Sequence, residues 1–228
     1  QRKKTLYTGL YKYLKEFCET RNYKIVADES LSVLQTPDIK YITDGLTLTS
    51  GGKPITPRDY QLDALEHALS HRKSLLLSPT ASGKSLIIYM AIRAFLDASD
   101  RNVLLIVPTT SLVEQMYSDF ADYSQTDDWL SEDECHRIYS GREKYNIEKR
   151  VIITTWQSIY KEKLQWFQDF GMVVGDEAHN FKAKSLTAIL EKCVNAELRI
   201  GTTGTLDGTQ THQLVLEGLF GPVHQVTT

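Results

Sequence analysis

The sequence predicts an α/β fold in which a parallel sheet is covered by helices on both faces. From Thr56 onward, short apolar runs alternate with longer amphipathic stretches, the pattern of repeated β–α units. Each apolar run ends in polar residues, and such ends gather at one edge of a parallel sheet. The predicted strands are residues 75–77, 103–107, 151–154, 172–174 and 199–202.

The stretches between the apolar runs predict the covering helices. Residues 84–96 and 111–123 each have the length and the apolar spacing of a helix packed on a sheet. Thr56 is a suitable cap for an earlier helix, because Pro57 would then occupy its first position. Residues 124–150 are polar and charged, so we expect an exposed loop there rather than a catalytic element.

The first part of the chain differs from the rest and predicts a separate segment. We interpret residues 1–55 as a small accessory α/β segment that precedes the main domain at residues 56–228. An apolar face recurs at helical spacing over residues 8–22. Two short runs with strand composition follow, at residues 23–26 and 46–49. The glycines and proline of residues 50–54 favour a linker.

The overall composition excludes several classes of protein. No run approaches the roughly 18 apolar residues of a membrane span, so we expect a cytoplasmic protein without a membrane partner. A net charge of −3 argues against a strongly basic nucleic-acid module, although groove binding needs only a local positive field. The three cysteines are widely spaced and support neither a disulfide framework nor a zinc site.

A phosphate-binding loop is predicted where the first apolar run meets the first long helix. The sequence there is Ser-Pro-Thr-Ala-Ser-Gly-Lys-Ser, with Ser78 at the position where the usual motif has glycine. Lys84 would contact the β- and γ-phosphates of ATP, and the Ser85 hydroxyl would ligate Mg²⁺ at a helix N-terminus. The predicted nucleotide-binding residues of the loop are Thr80, Ala81, Ser82, Gly83, Lys84 and Ser85. The alternative is a chance Gly-Lys-Ser in a surface turn.

A pair of carboxylates follows a later apolar run and predicts hydrolysis. In Asp176-Glu177-Ala178-His179, Asp176 would hold Mg²⁺ and Glu177 would orient and deprotonate the attacking water. The alternative is a solvated acidic turn. Asp133 and Glu134 begin a second Asp-Glu-x-His tetrad, but polar residues precede it and no buried strand would direct its carboxylates.

Taken in order, the polar strand ends closely resemble the motifs of superfamily 2 helicases and translocases. The tetrad at residues 176–179 resembles their DEAH box. The resemblance implies a RecA-like domain that hydrolyses ATP. It implies adenine recognition by Arg58 and Gln61, and coupling of ATP to nucleic acid by His179, Thr203 and Thr205. It also implies contacts with DNA phosphates by Thr109, Thr110, Thr154, Thr155 and Gln157. Ordinary helix capping is the alternative for the threonines.

Within the superfamily, the chain resembles the helicases with which T4-type bacteriophages process recombination intermediates. Such helicases use ATP to unwind or branch-migrate DNA and to displace RNA from R-loops. The resemblance implies that the protein binds branched or single-stranded DNA without sequence preference, and also RNA–DNA hybrids. It implies a location in the host cytoplasm. It also implies a second, C-terminal RecA-like domain with ATP-contacting arginines. Because no arginine follows Arg199, we expect half a motor that is inactive alone.

Three other functions share some of these features. The motor of a restriction or chromatin-type DNA translocase would carry nearly the same motifs. A nucleotide-gated binding module could use the same site without turnover. A metabolite kinase would share the phosphate loop, but it would need neither the threonine-rich strand ends nor the Asp-Glu-x-His turn.

Overall fold

A computed structural model describes residues 5–28, 34–79, 81–139, 148–206 and 210–226. The strands are β1 Thr49–Ser50, β2 Lys53–Pro54, β3 Lys73–Leu77, β4 Asn102–Val107, β5 Cys135–Ile138, β6 Val151–Thr155, β7 Phe170–Gly175, β8 Leu198–Thr203 and β9 Val223–Gln225. The helices are α1 Tyr11–Thr20, α2 Ile39–Asp44, α3 Asp59–Ser70, α4 Lys84–Ala98, α5 Thr110–Tyr123, α6 Ser131–Glu134, α7 Trp156–Ile159, α8 Ala183–Lys192 and α9 Gln210–Phe220. None of these described helices is long and apolar enough to cross a membrane.

The main sheet has seven strands in the order β5-β6-β4-β7-β8-β3-β9, and every neighbouring pair is parallel. Successive residues of a strand point to opposite faces. Leu75 of β3 therefore packs into one hydrophobic cluster and Leu76 into the other. Helices α3, α4 and α5 cover one face, while α8 and α9 cover the other. The predicted parallel α/β architecture is confirmed.

Two predictions about the main domain are wrong. Part of the expected loop at residues 124–150 is strand β5, which pairs with β6 at the edge of the sheet. Its two middle residues, His136 and Arg137, are only partly buried, so the strand lacks the continuous apolar run of the interior strands. The helix expected to begin at Thr56 begins at Asp59, with Arg58 in extended conformation before it.

The N-terminal residues pack against the last helix of the main domain. The Tyr13 hydroxyl donates a hydrogen bond of 2.6 Å to Glu217 of α9. Gly9 is buried there, and a side-chain carbon at this position would lie 2.0 Å from the Glu217 carbonyl oxygen. Only glycine permits this approach, so the contact with α9 fixes the position of residues 9–13.

The short strands predicted for the accessory segment are mostly wrong. Residues 23–26 are not a strand, and Val26 is 85% exposed and pairs with none of the described strands. Of residues 46–49, only Thr49 is in a strand, β1, which pairs with β2 as an antiparallel hairpin. The hairpin occupies the predicted linker, and its Gly51 amide donates to the Asp122 carboxylate of α5 at 2.8 Å. The domain boundary near residue 55 stays a prediction.

Three histidine rings stack between α3 and β9. The His67 ring lies 4.2 Å from that of His71 and 3.9 Å from that of His224, which also contacts the Asp63 carboxylate at 3.1 Å. Burial lowers the pKa of His67 to about 4, with further lowering by His224 and His71 and an opposing effect of Asp63. A neutral His67 is therefore part of the folded state.

We expect acid to destabilise the fold through His67. Its pKa is lower in the folded chain than in the unfolded one, so protonation of the unfolded chain removes stability as pH falls from about 6.5 towards 4. A pKa difference of one unit between the folded and unfolded chain corresponds to about 1.4 kcal/mol of folding free energy. Solvent screening at a half-buried group reduces the expected loss of stability to about 1–2 kcal/mol. Urea unfolding at pH 7.5 and 4.5 measures it. His67→Phe should reduce this pH dependence relative to the wild type; an unchanged dependence in this variant would contradict the assignment.

Candidate functional site

The predicted phosphate loop connects the carboxyl end of β3 to the first turn of α4. Gly83 precedes α4 with a left-handed φ of 76°, and a side-chain carbon there would lie 2.3 Å from Gln61 Nε2. Glycine is needed at this position for both reasons. Ala81 also has a positive φ, of 64°. Thr80, predicted to bind nucleotide, lies outside the described residues.

Ser78 stands where the usual motif has glycine, and the structure gives a reason. Its side chain is fully buried, and its hydroxyl shares a hydrogen bond with the Ser82 hydroxyl across the loop. Its amide donates to the Thr203 carbonyl of β8 at 2.9 Å. The serine therefore holds the two sides of the loop together and attaches the loop to the neighbouring strand.

The two predicted catalytic carboxylates lie at the end of β7, two strands from β3. Asp176 is only 6% exposed and accepts a hydrogen bond from the Thr202 hydroxyl. Burial raises the pKa of Asp176; the Thr202 bond opposes this shift, and the negative charge of Glu177 adds to it. Glu177 has a left-handed φ of 49°, which is uncommon for a residue other than glycine and turns the chain sharply after the strand.

Lys84 joins the phosphate loop to the acidic turn. Its ammonium lies 3.0 Å from Glu177 Oε1 and donates to the Ser78 carbonyl at 3.4 Å. Both side chains are mostly buried, at 12% and 24% exposed, so solvent screens this ion pair only partly. The fold thus brings together two motifs that are far apart in sequence.

The predicted coupling residues form a chain of hydrogen bonds beside Glu177. The Thr203 hydroxyl donates to the Thr205 carbonyl at 2.6 Å, and its oxygen lies 2.6 Å from His179 Nδ1. Since the only hydroxyl proton of Thr203 is used, His179 carries its proton on Nδ1 and donates it. His179 Nδ1 is also 3.4 Å from Glu177 Oε2. This chain connects the end of β8 with the acidic turn.

The residues predicted to recognise adenine hold the phosphate loop from the side of α3. Gln61 is 5% exposed; its Oε1 accepts from the Arg58 amide at 2.9 Å, and its Nε2 donates to the Ser82 carbonyl at 3.1 Å. Tyr60 donates to the same carbonyl at 3.1 Å. Each amide atom of Gln61 retains one further hydrogen-bonding position, so adenine recognition stays a prediction.

The hydroxyl of Ser85 has a partner that the sequence did not indicate. It lies 2.8 Å from the Tyr123 hydroxyl at the end of α5. Burial raises the pKa of Tyr123, and the hydrogen bond with Ser85 opposes this shift by a smaller amount. No local motif marks Tyr123, since its position beside the loop depends on how α5 packs on α4. Tyr123 therefore holds the predicted Mg²⁺ ligand in this structure.

The predicted DNA-binding threonines divide into two groups. Thr109 and Thr110 are exposed at the start of α5, where Thr109 also caps the helix by accepting from the Leu112 amide. Thr154 has no exposed surface and donates to the Ile138 carbonyl at 2.9 Å. Thr155 is 4% exposed, and its hydroxyl shares a hydrogen bond with Ser158.

The hydroxyls of Thr154 and Thr155 are thus not exposed in this structure, and contact of these two residues with DNA stays a prediction. Both are buried because β6 is an interior strand, with β5 and β4 on its two sides. Gln157, one turn further along the chain, is exposed and stays a candidate DNA contact.

The second Asp-Glu-x-His tetrad lies at the other edge of the sheet. Asp133 and Glu134 belong to α6, which leads into the amino end of β5. In a parallel sheet, the amino ends of the strands lie opposite the edge that holds the phosphate loop. The rejection of this tetrad therefore agrees with the structure, although a strand follows it.

The residues present fit a magnesium nucleotide. Ser85 and Asp176 offer a hydroxyl and a carboxylate oxygen, which are ligands that Mg²⁺ accepts. Two neighbouring carboxylates, one of them buried with a raised pKa, form a site that a divalent cation would stabilise. A cavity of about 430 Å³ lies beside the loop, lined by Pro79, Gly204 and Gln225 among others.

Comparison with known proteins identifies the family. Residues 54–208 match the family described as the type III restriction enzyme, res subunit. The chain belongs to this family, within the superfamily 2 helicases. Over 226 residues, or 96% of the chain, it is 33% identical to the ATP-dependent DNA helicase UvsW of Enterobacteria phage T4, and it covers 44% of that protein. It is 32% identical to the helicase Hel308 of Pyrococcus abyssi over an alignment of 142 residues, which covers 58% of the chain and 19% of Hel308.

Solved structures agree with this assignment. The crystal structure of the T4 UvsW helicase superposes with a TM-score of 0.87 at 33% identity, covering 96% of this chain and 78% of that one. The Hef helicase domain of Pyrococcus furiosus shares the fold, with a TM-score of 0.63 at 23% identity over 74% of this chain and 37% of that one. The fold is RecA-like, as predicted. The chain spans about half the length of the T4 relative, at 44%.

Proposed function

We propose that this chain is the ATP-binding motor domain of a DNA helicase, with Mg²⁺ as its metal cofactor. The contact between Lys84 and Glu177 carries the proposal, because it places the phosphate loop and the acidic turn in one site. Similarity to UvsW of phage T4, an ATP-dependent DNA helicase, supports the helicase activity, and branched recombination and repair intermediates are the substrates that we propose.

In this proposal, Lys84 has two partners in turn. It pairs with Glu177 in the structure, and the terminal phosphates of ATP would compete for it because they carry more charge. Once Lys84 binds phosphate, Glu177 is free to accept a proton from the attacking water. Ser85 and Asp176 would hold Mg²⁺, which neutralises charge on the phosphates. His179 and Thr203 would couple the binding and hydrolysis of ATP to the contacts with bound DNA.

The proposed nucleic-acid contacts are exposed side chains at the carboxyl edge of the sheet. Thr109, Thr110 and Gln157 can donate to phosphate oxygens without reading bases, so we propose sequence-independent binding of single-stranded or branched DNA. RNA–DNA hybrids present the same phosphates. A second RecA-like domain would complete the ATP site, and the host cytoplasm is the proposed location.

A DNA translocase that does not separate strands is the second candidate. The family description names a restriction enzyme subunit, and the SWI2/SNF2 ATPase core of Sulfolobus solfataricus shares the fold, with a TM-score of 0.60 at 16% identity. Once a second RecA-like domain is joined to this chain, a forked duplex and a triplex discriminate between the two functions. A helicase separates the fork, whereas a translocase displaces only the third strand of the triplex.

We expect Lys84→Ala to weaken ATP binding by about tenfold to a hundredfold, because a hydrogen bond to a charged group contributes about 1.5–3 kcal/mol. Titration with a fluorescent ATP analogue in the presence of Mg²⁺ measures the affinity. Lys149→Ala is the control, since Lys149 is only partly buried, lies just before β6 and donates to the Glu132 carbonyl. Equal affinity of the wild type and Lys84→Ala would exclude this loop as the nucleotide site.

A further inference from the structure

Four cationic side chains line a cavity at the amino edge of the sheet, opposite the edge that holds the phosphate loop. Lys73 of β3 and Arg199 of β8 are register partners, so their side chains lie next to each other. Arg72 precedes Lys73, and Arg101 precedes β4. These four residues and Glu197 line a cavity of about 390 Å³, which we call the basic cavity. With four cations and one carboxylate, it has a positive charge.

The one carboxylate of the cavity, that of Glu197, offsets only part of this positive charge. None of the four forms an ion pair with a described residue, and Arg199 Nε is buried without a hydrogen-bond partner. Among the described residues, the Lys73 ammonium donates only to the Thr8 hydroxyl. Burial and the neighbouring Arg199 lower the pKa of Lys73 to about 8. An anion in the cavity would relieve the repulsion and give Arg199 Nε an acceptor.

The shape of the cavity indicates the form of the anion. Lys73 and Arg199 are partly buried, whereas Arg72 and Arg101 are exposed at the rim. One arginine guanidinium can donate two parallel hydrogen bonds to two oxygens of a phosphate. Several cations together favour a ligand with more than one negative charge. An open rim allows a phosphate to enter while the rest of a polymer chain passes outside.

We propose that the basic cavity binds a backbone phosphate of a second DNA segment, remote from the ATP site. The inference rests on the proposed DNA helicase function and extends it. Thr109 and Gln157 lie at the carboxyl edge and the basic cavity lies at the amino edge, so the domain would contact phosphates on two sides. A branched substrate has several arms and can use both, whereas a short single strand uses one.

The test compares two pairs of substitutions that remove the same charge. Arg72→Gln with Arg101→Gln acts on the rim of the cavity, and Lys40→Gln with Lys53→Gln removes two exposed cations elsewhere. Fluorescence anisotropy is measured with a labelled three-arm DNA and a labelled single strand of about ten nucleotides, from 50 to 200 mM salt. Nucleotide affinity is measured in parallel as a check on the ATP site. Arg72→Glu alone, at an exposed side chain without a hydrogen bond in the structure, repeats the test if the double variant folds poorly.

We expect the rim substitutions to weaken three-arm DNA binding at least about fivefold and to reduce the salt slope by about one to two, as for one or two lost phosphate contacts. Single-strand and nucleotide affinity should match the control pair. If the rim variant and the control pair bind three-arm DNA equally, the inference is wrong. Loss of pyrophosphate binding in calorimetry, with DNA binding unchanged, would assign the cavity to a free anion instead. If the wild type binds ATP but no DNA, it is the proposed function that fails.

Discussion

Glu177→Gln is expected to lower the rate of ATP hydrolysis by about 10² or more while nucleotide affinity stays near that of the wild type. The amide cannot accept a proton from water, but it keeps the shape of the side chain. Asp176 and Ser85 remain available for Mg²⁺. The variant also loses the ion pair with Lys84, so the free ammonium should favour nucleotide phosphates slightly. Single-turnover hydrolysis of labelled ATP with protein in excess measures even a slow rate.

Glu134→Gln is the matched control for this substitution. Glu134 occupies the equivalent position of the second Asp-Glu-x-His tetrad, but it lies in α6 at the amino edge of the sheet. We expect its hydrolysis rate to stay within a factor of about two of the wild type, since surface substitutions away from a site have small effects. A larger loss in Glu134→Gln than in Glu177→Gln would reverse the assignment of the catalytic carboxylate. Wild-type binding without any turnover would favour the nucleotide-gated module.

A second RecA-like domain joined to this chain is expected to raise its rate of ATP hydrolysis by about 10³ to 10⁵, the contribution assigned to an arginine finger. Charge develops on the γ-phosphoryl oxygens during transfer, and residues 200–228 contain no arginine that could neutralise it. Strand separation also requires two domains that close on ATP and reopen after hydrolysis. Residues 1–228 alone should therefore hydrolyse ATP slowly and leave a forked duplex intact.

A chimera tests this second prediction. It joins residues 1–228 to a second RecA-like domain taken from the T4 UvsW relative, and phosphate release is measured beside unwinding of a forked duplex. The control is the same chimera with the ATP-facing arginines of the added domain replaced by alanine, which should return the rate to that of the single domain. Robust unwinding by residues 1–228 alone would contradict the half-motor interpretation.

The sequence predicted the interior of the sheet well, and the edges less well. Interior strands such as β4 and β7 are buried on both faces, so they appear as continuous apolar runs. Strand β5 is an edge strand with two partly buried polar residues, so composition suggested a loop. Residues 23–26 show the opposite error. Their composition favours a strand, but none of the described strands lies beside them to form the hydrogen bonds of a sheet.

The candidate site shows the same limit at the level of single contacts. Local motifs predicted Lys84, Asp176 and Glu177, and the structure brings the loop and the acidic turn into contact. Motifs did not predict that Tyr123 binds Ser85, because this contact depends on tertiary packing. They also did not distinguish a strand-end hydroxyl that is buried, such as Thr154, from one that is exposed, such as Thr109.

Crystallography of the chain with a non-hydrolysable ATP analogue and Mn²⁺ in place of Mg²⁺ tests the central claim most directly. The anomalous signal of Mn²⁺ locates the metal independently of the nucleotide density. We predict triphosphate density over the loop at residues 81–85, with Mn²⁺ beside Ser85 and Asp176 and with Lys84 moved from Glu177 to the phosphates. Nucleotide bound elsewhere, or Mn²⁺ away from both Ser85 and Asp176, would contradict the assignment of this domain as an ATP-driven motor.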